Sequence, residues 1–174
     1  VISLVSTTYM ITSGISIASA IRIGKAYASL HIAKIKRIGS SAIIVAVGIM
    51  SIFCAIFLTV PEILILPLME NDPQAVPIAV MLLVVAGFFQ ISDGVQAVGL
   101  GILRGMEDVN IPTIIALIAY WVIALPLSVL AYTQGWGAMG IWVALLLGLS
   151  TSAILLTTRF FKLLKHKRKE TLAL

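Results

Sequence analysis

Asp93 is the residue of this chain best placed to do chemistry, because it lies within Ile78–Leu103, where every other side chain is uncharged. A carboxylate at membrane depth costs roughly 3 kcal/mol on insertion scales, and it faces a protein interior or a watery cavity. There it can take up a proton or bind a cation, with Na+ as the metal ion it would hold. Such a group can couple ion flow to the movement of another solute. Gln90 and Gln96 stand three residues to either side, so helical spacing gives them its face. Gly94, Ala97 and Gly101 keep neighbouring positions small and admit a second helix closely. The same pattern also fits a plainer role, an Asp93 kept protonated or hydrogen-bonded to a neighbouring helix as structural glue.

Other polar and aromatic groups follow helical spacing. Thr8, Thr12, Ser16 and Ser19 form a hydroxyl stripe that reads first as a helix-packing face and second as a cavity lining. Tyr120 and Trp121 are aromatic candidates for a cavity wall, able to stack on a cationic substrate or simply to fill the core. Gly101 and Gly105 are spaced as a GxxxG packing face. His31 and His166 fall in basic segments, and neither HExxH nor Gly-x-Ser-x-Gly occurs, so the reading is a non-enzyme with no organic cofactor. Cys54, alone in an apolar run, cannot form an intramolecular disulfide.

The elements that must position these groups are membrane helices. The chain is 60% hydrophobic and 11% charged, against roughly 25% charged for an ordinary soluble domain. Its mean hydropathy is +1.13, and a soluble fold of this length has too little polar surface to cover so much apolar surface. About 20 apolar residues cross a bilayer, and five stretches qualify, at 2–21, 38–60, 77–103, 111–132 and 139–158. The expected fold is thus all-α: a polytopic transmembrane bundle over 1–158, followed by a basic cytoplasmic tail over 159–174. Val1 is not a start methionine and no charged leader precedes the first apolar run. The opening therefore reads as a fragment of a longer polytopic protein and not as a signal peptide.

The charges orient the bundle. Arg22, Lys25, Lys34, Lys36 and Arg37 follow the first span, Arg104 the third, and Arg159, Lys162, Lys165, Lys167, Arg168 and Lys169 the fifth. The alternate loops hold no Lys or Arg, and one of them carries Glu62, Glu70 and Asp72. All 12 basic residues then lie on one side, which the positive-inside rule makes cytoplasmic. The C-terminus is expected inside and the N-terminus of this chain outside, with the basic tail as a topology anchor against anionic lipid rather than a nucleic-acid arm. Tyr132, Trp136 and Trp142 crowd the outer loop Thr133–Gly140, where Gly135, Gly137 and Gly140 allow a tight reversal. Pro126 should kink the fourth helix and free a carbonyl near Val122. Pro61 and Pro67 bracket a short interfacial turn, Ile63–Leu66.

Taken in order, several strings resemble one family. They are Phe88-Phe89-Gln90-Ile91-Ser92-Asp93-Gly94-Val95-Gln96, Leu103-Arg104-Gly105-Met106-Glu107-Asp108, Pro112, Tyr120-Trp121-Val122-Ile123-Ala124-Leu125-Pro126, and Gly137 through Trp142. Together with Ser19-Ala20-Ile21-Arg22-Ile23-Gly24, they resemble the C-terminal part of a MATE (multidrug and toxic compound extrusion) transporter. The resemblance implies five helices of a six-helix lobe in a twelve-helix protein, with the N-terminal lobe as partner. It further implies secondary active efflux of small organic cations or drugs across the cell (inner) membrane, by antiport with Na+ or H+. Asp93 matches the acidic residue of the family's tenth helix, a coupling-cation ligand, while Phe89 stands where some sodium-coupled members carry a tyrosine. Two rivals are a lipid-linked sugar or polysaccharide flippase of the same superfamily and a membrane-embedded subunit that transports nothing. The absence of Lys and Arg from the spans speaks against the first, and Asp93 with its glutamines against the second.

Overall fold

The computed structural model describes residues 2–65 and 76–172, with side chains through 169. Within these residues the chain is helical throughout: α1 (Ile2–Ala28), α2 (Ile32–Thr59), the short α3 (Pro61–Ile65), α4 (Val76–Gly105), α5 (Asn110–Ile118), α6 (Leu125–Thr133) and α7 (Gly137–Leu172). A π-helical turn, Ala119–Ala124, joins α5 to α6, so Asn110–Thr133 forms one broken helix. Five of these units are long and apolar enough to cross a membrane, as the sequence predicts. A bilayer interior offers no partner for backbone groups, and a helix satisfies its own.

The helices outrun the apolar stretches that reveal them. α1 runs through Arg22 and Lys25, α2 begins at Ile32, and α7 continues through the basic segment to Leu172. Lys and Arg are good helix formers, so leaving the apolar phase does not end the helix. The tail over 159–172 is therefore the last helix prolonged. The interfacial turn expected over 63–66 is the helical turn Pro61–Ile65. Leu66, Pro67, Glu70 and Asp72 lie outside the described residues.

Three helix ends close in the same way. Leu30, Glu107 and Gly135 adopt φ of 53°, 62° and 79°. In each case this residue donates its N–H to the carbonyl three positions back, and the next donates five positions back: Leu30 to Tyr27 and His31 to Ala26, Glu107 to Arg104 and Asp108 to Leu103, Gly135 to Tyr132 and Trp136 to Ala131. This left-handed cap satisfies carbonyls that a helix end leaves open. Only the third has the glycine that makes such a conformation free of strain, so only that reversal announces itself in the sequence. Gly140, expected to serve the same turn, sits inside α7. A Cβ there would lie 2.7 Å from the Cβ atoms of Ala131 and Trp136, so its small size serves close packing instead.

Pro126 acts through the preceding turn. The Leu125 N–H bonds to the Tyr120 carbonyl, an i to i+5 step, and the series stops where residue 126 has no N–H to offer. The expected proline irregularity is a π turn over Ala119–Ala124 rather than a freed carbonyl at a simple kink. Its bulge is received by α7 at Gly148, where a Cβ would come within 2.6 Å of Ala124 Cβ and 2.8 Å of the Ala119 carbonyl oxygen.

α4 is the central helix, packed by α1, α2 and α7. One apolar cluster gathers Ile23, Ile35, Val98, Ile102, Leu156 and Phe160 at one end of the bundle. A second gathers Phe57, Ile65, Ala79, Leu83 and Ala86 at the other. Asp93 and its glutamines lie on the stretch of α4 between them.

Candidate functional site

Gln90 and Gln96 flank Asp93 without standing on it. At 3.6 residues per turn, positions three before and three after a residue lie about 60° to either side of it. Each glutamine consequently meets a different helix. Gln90 is fully buried and donates to the Thr8 hydroxyl of α1, while Tyr120 on the broken helix donates to Gln96 Oε1 at 3.0 Å. Asp93 is half-buried between the two. Tyr120 lies within electrostatic range of both Asp93 and Tyr9 of α1. Among the described residues, the Asp93 carboxylate makes no hydrogen bond or ion pair. The structural-glue role thus has no partner within these helices.

The wall supplied by α1 is the hydroxyl stripe. Thr8 and Thr12 return their own hydroxyl protons to the Val5 and Tyr9 carbonyls at 2.8 and 2.9 Å, which lets polar side chains be buried at little cost. Ser16 reaches across to the Ala97 carbonyl of α4 at 2.7 Å. The packing role expected of the stripe is observed at Thr8, Thr12 and Ser16, whereas Ser19 bonds to the Ile15 carbonyl of its own helix at 2.7 Å and lines a cleft between α1 and α2. Small residues of α4 make the approach possible. A Cβ on Gly94 would lie 3.3 Å from the Thr12 methyl, one on Gly101 2.4 Å from the Ser16 carbonyl oxygen, and one on Gly105 2.6 Å from that of Ala20.

The opposite wall is thinner. Of the predicted aromatic pair, Tyr120 joins Gln96 beside Asp93, whereas Trp121 is 66% exposed and makes no side-chain hydrogen bond or ring contact among the described residues. Phe89, one turn before Asp93, packs edge-on against Trp142, ring centroids 5.9 Å apart. Trp142 accordingly belongs to the packing of α4 on α7, while Tyr132 and Trp136 stay exposed by the turn.

Two features escape sequence reasoning. Ser92 and Ser150 share a hydrogen bond of 2.8 Å between α4 and α7. Arg159 of α7 donates to Asp108 in the α4–α5 link at 2.9 Å. Each pairs residues more than fifty positions apart, and no local pattern announces such pairings. Gln90 Oε1 is the further surprise: it is buried and has no hydrogen-bond partner among the described residues. An acceptor oxygen so placed, one turn from a carboxylate, supplies oxygen chemistry for a proton-bearing or hard monovalent cation. No cluster of three His, Cys, Asp or Glu able to hold a metal occurs among the described residues.

Comparison with known proteins agrees with this architecture. The fold superimposes on a eukaryotic MATE transporter, AtDTX14, with a TM-score of 0.81 over 97% of this chain and 39% of the other, at 18% sequence identity. In sequence the chain is 39% identical over 170 residues to a probable multidrug resistance protein NorM of Brucella suis, covering 95% of this chain and 36% of the relative. It is 38% identical over 173 residues to the NorM protein of Agrobacterium fabrum, and 34% over 164 residues to that of Pseudomonas aeruginosa. It therefore spans a little over a third of the length of these curated relatives. The MatE family profile matches residues 1–130, and this multi-pass membrane chain belongs to the MatE family.

Proposed function

We propose that this chain is part of a secondary active transporter that expels drugs or small organic cations in exchange for Na+ or H+, with Asp93 as the coupling-ion site. The names of the bacterial relatives support efflux of drugs. The observation that carries the site is the half-buried, unengaged Asp93 between a fixed α1 wall and Tyr120. A charged carboxylate favours arrangements in which water reaches it. Neutralised by a proton or a bound cation, it tolerates burial far better, by a few kcal/mol at membrane depth. Ion binding thus shifts the population between an arrangement open at Asp93 and one closed over it, the requirement for alternating access. Gln90 Oε1 and the Tyr120 hydroxyl are the other oxygens at hand, with Gln96 as the residue that orients Tyr120.

The basic end of the bundle faces the cytoplasm in this reading, by the positive-inside rule. A reporter joined after Leu174 is expected inside the cell, and an external reporter would reverse the orientation. For the site, the protein carrying this chain is reconstituted in liposomes and drug efflux is driven by a Na+ gradient at equal pH or by a proton gradient without Na+. Asp93→Asn is expected to abolish ion-driven efflux while leaving folded protein in the membrane. Undiminished coupled efflux in that variant sinks the assignment. Whichever gradient drives the wild type identifies the ion.

A further inference from the structure

The bundle end that gathers the basic residues holds a cleft with no part in the ion site. It opens between α1 and α2 and encloses about 500 Å³. Arg22, Lys34 and Arg37 line one end of it, with Ser41 beside them. Ile15 and Val45 line the other end, roughly 10 Å from Arg22 and 16 Å from Lys34 along their helices, toward the middle of the spans. Cations at the helix ends and aliphatic side chains toward the membrane interior give the cleft the polarity of a phospholipid.

The two helices that form the cleft supply no counter-charge of their own. α1 and α2 contain no acidic residue, and the first in the sequence is Glu62. Among the described residues the ion pair Arg159–Asp108 lies elsewhere, and none forms with Arg22, Lys34 or Arg37. Three like charges around one concavity repel one another, and an anion placed among them relieves that repulsion. Guanidinium groups suit phosphate oxygens in particular, which they bind in a forked geometry. A free phosphate would satisfy the cations but leave the aliphatic half of the cleft unfilled.

We propose that this cleft binds an anionic phospholipid, its phosphate held by Arg22, Lys34 and Arg37 and its acyl chains lying along Ile15, Ile38 and Val45. The site does not depend on the ion assignment at Asp93. Basic pockets between membrane helices are suited to such headgroups. The test titrates the delipidated protein carrying this chain with dioleoylphosphatidylglycerol, dioleoylphosphatidylcholine or inorganic phosphate, counting bound lipid by native mass spectrometry. Saturable binding of phosphatidylglycerol, at least tenfold tighter than of phosphatidylcholine and not displaced by millimolar phosphate, is expected. Arg22→Gln with Arg37→Gln should weaken it at least tenfold. Lys25→Gln with Lys162→Gln removes the same charge from exposed positions outside the cleft and should change it less than twofold. Equal losses in the two pairs would overturn the proposal in favour of diffuse surface charge, and displacement by phosphate would overturn it in favour of a free-anion site. Should the arginine pair fail to fold, Ala18→Phe fills the apolar half of the cleft with all charges kept. It too should weaken phosphatidylglycerol binding, and unchanged binding would count against the proposal.

Discussion

The two sides of α4 at Asp93 are built in opposite ways. Toward α1, Gly101 and Gly105 let the backbones approach closely, and side chains bond across the contact, Ser16 to the Ala97 carbonyl and Gln90 to the Thr8 hydroxyl. Toward the broken helix, α4 reaches across with Gln96 to a single phenol, Tyr120, while the main seat of that helix is α7. A backbone-to-backbone contact has little freedom, whereas a wall resting on one side-chain hydrogen bond can separate at small cost. A carboxylate that must exchange its ion with water is served by having one wall of each kind. The broken helix is also the least buried of the five spans and contains the π turn, a distortion frequent at functional sites.

The largest effect is expected where the wall is tight. Gly101→Val places a Cβ where the Ser16 carbonyl oxygen would be 2.4 Å away, and a backbone atom cannot rotate aside as a side-chain end can. The helices must move apart, at a cost of about 3 kcal/mol, the upper range for overpacking. Unfolding in detergent should show that loss. An unchanged midpoint would mean that α1 and α4 are as free to part as α4 and the broken helix, and the contrast would collapse.

A smaller loss is expected on the thin side. Tyr120→Phe removes one hydrogen bond and leaves Gln96, only 6% exposed, without its partner, which amounts to about 1–2 kcal/mol. Combining it with Gln96→Leu removes donor and acceptor together and should recover most of that loss, since an apolar pair leaves nothing unsatisfied. The double-mutant cycle measures the strength of this wall directly. A coupling above the cost of Gly101→Val would invert the ranking of the two sides.

Sequence shows the tight side far better than the thin one. Gly94, Ala97, Gly101 and Gly105 repeat at helical spacing, and Thr8, Thr12, Ser16 and Ser19 answer them, so that contact is written twice in local pattern. The five spans are legible for a similar reason, each being a long apolar run. Their ends are not, because helical hydrogen bonding in α1, α2 and α7 continues past the point where hydropathy falls. The thin side depends on the direction in which Tyr120 and Trp121 diverge, and on a π turn whose only sequence mark is Pro126. Rotation of a helix about its axis is set by its neighbours, so local pattern does not say which of Tyr120 and Trp121 meets α4. The partition of Gln90 and Gln96 between two helices likewise becomes visible only once both neighbours are in place.

Arg159→Gln tests how the broken helix is fastened at its end. The pair with Asp108 is partly exposed, at 29% and 15%, and partly exposed ion pairs contribute about 1 kcal/mol or less. A loss of that size should shrink in high salt, which screens exposed charges. A larger, salt-independent loss would make the α4–α5 link a rigid hinge and the thin wall stiffer than its middle implies.

Gly48→Ala supplies the smallest effect and the baseline for the rest. Gly48 lies on the exposed face of α2, with nothing within 4 Å of a Cβ placed there. Alanine restrains the unfolded chain and is the better helix former, so stability should rise by up to about 1 kcal/mol. Gly48 and Gly101 share a residue type and a helical backbone, and they differ in whether another helix touches them. Opposite signs for the two substitutions would attribute the cost at Gly101 to the approach of α1. A loss at Gly48 comparable to that at Gly101 would instead mean that any side chain on a glycine of these helices is harmful. The glycines facing α1 would then no longer distinguish the tight wall from the thin one.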